Sequence, residues 1–262
     1  LLPIEEDSPI AVVHLSPWIW AALAVAAFGQ GLSKTGIAGI SILSVAAFAF
    51  FLPSRMSVGV VLPILICCDL VAVLAYRRHG VWRHLFKLFP WAAAGVVAGY
   101  FVLRACGNAD LSRLIGIILI ALVVVQWWRR RQANEKNSGS GDIPHSAAFV
   151  AIMGVAAGFT TMVANAAGPI MVIYFLASRL DKMEFMGTGA WFFMILNWFK
   201  VPFSASLGLV SLKSLPYDLW LAPCGMAGAL FGRWLIRYVN QSLFESSALA
   251  LTLLASIRLI FE

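Results

Sequence analysis

The chain has 262 residues, of which 61% are hydrophobic and 12% charged, with a formal net charge of +7. A soluble globular domain carries about a quarter charged residues, so this composition excludes an ordinary soluble enzyme and points to the bilayer. The basic residues sit in short loops between apolar runs, where membrane orientation is read, which argues against nucleic acid as a partner.

Residues 1–16 are acidic ("LLPIEEDSPI") without a basic stretch ahead of an apolar core, so they read as an extracytoplasmic tail rather than a signal peptide. Apolar segments follow at 17–33, 36–52, 55–76, 86–103 and 111–128, and then at 146–163, 166–177, 184–201, 214–236 and 243–261. A helix needs about 20 apolar residues to span the hydrocarbon core. The segments lack the strict alternation of a membrane barrel. The expected fold is therefore all-α and polytopic, lying in a lipid bilayer. A hydrophilic linker at 129–145, "RRRQANEKNSGSGDIPH", divides it into a first repeat (17–128) and a second (146–262).

The halves resemble each other. Gly29, Ala38 and Gly39 align with Gly158, Ala167 and Gly168 at an offset of 129, and Gly59 and Asp69 align with Gly187 and Asn197 after a one-residue slip. "PWAAAGVVAGYFVLR" (90–104) matches "PCGMAGALFGRWLIR" (223–237), after which Asn108 and Leu111 fall against Asn240 and Leu243. Such duplication is a transporter signature, with the substrate site expected where the repeats meet. Placing the two most basic loops, 76–87 and 128–136, in the cytoplasm puts the N-terminus outside and makes the second repeat inverted. Twelve basic residues then fall on the cytoplasmic side and six outside, the latter including Lys200.

Lys34 belongs to neither group, being the only ionisable residue between Pro17 and Pro53. If the surrounding "GQGLSKTGIAGI" is not helical, segments 17–29 and 38–52 each reach only about 20 Å, too short to span. Two spans or a re-entrant hairpin both fit. A break there exposes backbone N–H groups and a positive helix end to an anion. A charged lysine inside a span normally faces a cavity or a partner, although snorkelling to an interface is the plainer alternative. Ser33, Lys34 and Thr35, between Gly31 and Gly36, thus form a candidate oxyanion cradle. The matching stretch of the second repeat, "GFTTMVANAAGP" (158–169), offers Thr160, Thr161, Asn165 and Gly168, with Pro169 suited to the first turn of a new helix. Asn165 could equally make a helix–helix hydrogen bond.

Asp69 is the only carboxylate far inside a span. It is a candidate proton-coupling group, an ion-pair partner of Lys34, or a structural pair. Lys200 lies near a span end and reads as a snorkelling residue. Tryptophans such as Trp18, Trp20, Trp127 and Trp128 read as interfacial anchors. The cysteines Cys67, Cys68, Cys106 and Cys224 read as small buried hydrophobes, so no metal and no cofactor are expected. The four histidines form no catalytic grouping.

At "GLSKTGIAGISILSVAAFAFFLP", at residues 57–79 and at "ANAAGPIMVIYFL", the chain resembles the sulfite exporter TauE/SafE family of membrane permeases over nearly its whole length. Many members of that family carry a glycine pair followed by Val-Pro at both repeat motifs. Here Ser33-Lys34-Thr35-Gly36 and Asn165-Ala166-Ala167-Gly168 stand instead. The resemblance implies export of sulfite, or of a small organosulfonate, across the cell inner membrane without ATP. A permease for another small carboxylate, uptake instead of export, and an anion channel are the alternatives. An intramembrane enzyme or an assembly factor is a different class; the first is disfavoured because only Asp69 and Lys34 offer intramembrane chemistry, the second because it would not need glycine-broken spans in both halves.

Overall fold

Pro17, in the first turn where its missing N–H is no loss, opens helix α1 (Pro17–Thr35). In this computed structural model, which describes residues 16–36, 40–135, 146–210 and 214–235, α1 is continuous to Thr35. The sequence expectation of an unwound stretch beginning at Gly29 is therefore corrected. Gly29, Gly31 and the Ser33-Lys34-Thr35 triplet are helical, and the chain leaves the helix only at Gly36. Intrahelical hydrogen bonds consume the N–H groups that the cradle would have used.

Helix α2 (Ile40–Phe51) returns and ends before Pro53, after which α3 (Ser54–Tyr76) runs on through Pro63. A 3-10 turn at Arg77–His79 leads to α4 (Trp82–Ala105) and then α5 (Asn108–Glu135). In the second half, α6 (Ala147–Ala164) starts where the Ser146 hydroxyl accepts the Phe149 N–H at 3.2 Å. It stops at Asn165, whose φ of 54° places it in the left-handed region that asparagine tolerates. The short α7 (Gly168–Ala177) follows, with Pro169 in its first turn. The Glu184 carboxylate accepts the Asp181 N–H at 3.2 Å at the start of α8 (Lys182–Ser206), and α9 (Leu215–Leu235) is the last of the described helices. The expected tail, most of the linker and the segment at 243–261 lie outside the described residues, as does the Gly39 end of the first motif.

Among the described residues, four helical stretches are long and apolar enough to cross a membrane: Ser54–His79, Trp82–Ala105, Asn108–Trp128 and Ala147–Ala164. The 12 residues of α2 and the 10 of α7 rise only about 18 and 15 Å, half a bilayer core or little more. Large apolar side chains such as Val25, Leu74, Phe86, Phe101, Ile117 and Trp220 face outward, as a lipid-facing surface requires. The molecule is a multi-pass helical membrane protein.

Three helix pairs build its frame: α1 on α9, α4 on α6, and α3 on α8. Without a hydrophobic drive between helices in lipid, close backbone approach must supply the dispersion energy. A Cβ on Gly31 would overlap the carbonyl oxygen of Gly225 on α9, and one on Gly158 would overlap that of Ala92 on α4. These glycines are helix-packing positions.

Candidate functional site

A cavity of about 670 Å³ lies between one face of α7 and one face of α8. On α7 that face carries Gly168, Met171, Val172, Phe175 and Leu176, the three- and four-residue spacing of a single helical stripe. On α8 it carries Lys182, Phe185, Met186, Gly189, Phe193 and Asn197. Ser33 and Lys34 from α1, Thr161 from α6 and Asn165 close the cavity. The shortness of α7 makes this space: a full-length span would have filled it.

The cavity's deep end is polar. Lys200 is 1% exposed, and its ammonium donates to Thr161 Oγ1 at 3.1 Å, Asn165 Oδ1 at 2.7 Å and Asn197 Oδ1 at 3.2 Å. Three oxygens around one nitrogen match the three donors of a protonated lysine. Each amide is oriented by a second bond: Asn165 Nδ2 donates to the Val58 carbonyl at 3.0 Å, and Asn197 Nδ2 to Asp69 Oδ2 at 2.6 Å. Asp69, fully buried, also pairs through Oδ1 with Lys34 Nζ at 2.8 Å. The Lys34 nitrogen in turn sits 3.9 Å from the centroid of the Phe193 ring and borders the cavity. A continuous chain thus runs Lys34–Asp69–Asn197–Lys200–Asn165, with two cations against one carboxylate.

The sequence reading of Lys200 is corrected by this geometry. Its position near a span end suggested snorkelling, but α8 runs on to Ser206 and Lys200 points into the bundle instead. The usable signal was its spacing: Asn197 and Lys200, three apart on one helix, share a face, and Asn197 was already aligned with Asp69. Asp69 and Asn197, matched by sequence alone, meet directly in space.

Of the other residues singled out from sequence, Ser33, Lys34, Gly36, Thr161, Asn165 and Gly168 border the cavity. Two do not. Thr35 is fully buried and donates to the Ala229 carbonyl at 2.6 Å, tying α1 to α9, while its own carbonyl accepts the Tyr76 hydroxyl at 3.1 Å. Gly31 is backed against α9 and offers no surface to a ligand. The Ser33 hydroxyl donates to the backbone carbonyl of Gln30 at 3.0 Å. Thr160 is spent on its own helix, donating to Ala156 at 2.8 Å. The backbone contribution to the site therefore comes from the second motif. The first N–H groups of α7 have no intrahelical partners, and Gly168 at that end borders the cavity.

At its other end the cavity reaches Leu180 and Lys182 in the α7–α8 turn. The basic stretch after α3 lies at the same end: Trp191 Nε1 donates to the Arg77 carbonyl at 3.3 Å, and the Val81 N–H donates to Thr188 Oγ1 at 2.9 Å.

A family model described as sulfite exporter TauE/SafE matches residues 21–259. No curated protein and no solved structure matches the chain.

Proposed function

Since the chain belongs to the sulfite exporter TauE/SafE family, we propose that it is a secondary transporter that exports a small oxyanion, sulfite first, from the cytoplasm by alternating access. One observation carries the reading: two lysines and a single carboxylate are joined in one buried network at the end of a cavity. Uncompensated charge inside a membrane is costly, and an anion beside Lys34 and the α7 N-terminus supplies the missing negative charge. Ser33, Gly36, Thr161, Asn165 and Gly168 complete the proposed shell.

The proposed moving parts are two inverted repeats. The helix pairing supports this: matching α1 with α6 and α4 with α9, as the sequence alignment does, turns the α1–α9 contact into the α6–α4 contact. Breaks after α1 and after α6 occupy corresponding places in the two halves, each followed by a short apolar helix. The basic residues Arg77, Arg78, Arg83 and Lys182 flank the end to which the cavity extends, so that end is assigned to the cytoplasm and the conformation is read as inward-facing. Asp69 is the proposed coupling group, because a proton on it would release Lys34 to an anion.

The test is sulfite flux in proteoliposomes, with and without a pH gradient, for the natural chain and for Lys34→Met and Lys200→Met. Saturable flux with counterflow, lost in both variants while folding is retained, is the expected result. Linear flux without counterflow would instead describe a channel, and undiminished flux in both variants would remove the site assignment.

A further inference from the structure

Two amide side chains border the cavity without joining the lysine–carboxylate chain. Gln30 on α1 and Gln126 on α5 are each 1% exposed, and both line the cavity. The Gln30 amide has no hydrogen-bond partner on either its oxygen or its nitrogen, and the Gln126 carbonyl oxygen has none. Buried amides without partners are rare in folded proteins because each loses its water without replacement. Leucine or methionine would fill either position at no such cost. Gln30 lies one helical turn before Lys34, on the same face of α1.

The size of the cavity points the same way. An oxyanion of four heavy atoms, with the bulk of two or three waters of about 30 Å³ each, fills only a small part of 670 Å³. Met171, Phe175 and Phe193 give the remaining wall an apolar surface suited to a short carbon chain.

We infer that Gln30 and Gln126 form a second, uncharged subsite that takes a hydroxyl group carried on an organic sulfonate. This rests on the anion site proposed above, where the sulfonate end is held. An amide offers both an acceptor and donors. A hydroxyl can donate to one amide oxygen and accept from the Gln30 N–H at the same time, whereas an ammonium could only donate and a carboxylate could only accept. Without such a group the two amides stay unmatched, and the ligand that lacks it binds less tightly.

The experiment compares ethanesulfonate with 2-hydroxyethanesulfonate, which differ by one hydroxyl, for binding to the purified full chain by calorimetry. Sulfite serves as the control for the anion site. The hydroxylated ligand is expected to bind about tenfold more tightly. Gln30→Leu and Gln126→Leu should each pull that ratio toward one while leaving ethanesulfonate affinity within about twofold. Equal affinities in the natural chain, or a ratio unmoved by both substitutions, would overturn the subsite and mean that the amides are matched by water alone. The ratio in the natural chain needs no variant, so a substitution that misfolds still leaves a decision. Sulfite binding with equal sulfonate affinities refutes this subsite only. No binding of any of the three anions refutes the anion site and this inference together.

Discussion

Removing both members of the Lys34–Asp69 pair should cost far less than the two single removals added together. At 2.8 Å, with an effective dielectric constant of about 20, the gross attraction is 332/(20 × 2.8), or about 6 kcal/mol. Desolvation of a fully buried carboxylate and a lysine only 10% exposed offsets much of that, so the pair's net contribution is small. A single substitution behaves differently, because it strands one charge in the bundle. Asp69→Asn and Lys34→Met should each destabilise by about 3–5 kcal/mol. The double variant should cost less than the sum by about 3 kcal/mol. Denaturation of the detergent-solubilised protein, followed for the four members of the cycle, measures the coupling directly. Sulfite should partly restore Asp69→Asn, since an anion can replace the lost carboxylate beside Lys34, and should do nothing for Lys34→Met. Additive single costs, within about 0.5 kcal/mol, would refute the argument by showing that the two groups do not depend on each other.

Thr35→Val, which keeps the shape and removes the hydroxyl, should destabilise by about 0.5–1.5 kcal/mol through loss of the hydrogen bond that ties α1 to the Ala229 carbonyl. Sulfite affinity, measured by calorimetry, should stay unchanged in that variant, because Thr35 does not border the cavity. Gly31→Leu should be worse. A side chain has no room against Gly225, so α1 and α9 must separate, and the melting temperature in detergent should fall steeply or the folded protein should fail to accumulate.

Much of the architecture was legible in the residues themselves. The apolar segments are local properties, read directly from runs long enough to cross a bilayer. Pro169 announced the start of α7, because proline suits a first turn, whereas the left-handed backbone of Asn165 that ends α6 was shown only by the structure. The first motif misled for a physical reason: glycine is ambiguous within an apolar run. The same residue that frees a backbone also lets two helices touch, and Gly31 takes the second role because α9 lies against it.

By itself, the sequence determined that this is a helical membrane protein and that Lys34 and Asp69 require partners. Those conclusions follow from solvation, since apolar length and buried charge have costs that do not depend on the neighbours. Only the tertiary structure decided which partners they have. Lys200 became a central cation, Thr35 a helix tie, and Gln30 and Gln126 part of a cavity wall. Each of those roles depends on which helix packs opposite, and helices far apart in the chain, such as α1 and α9, supply the answer.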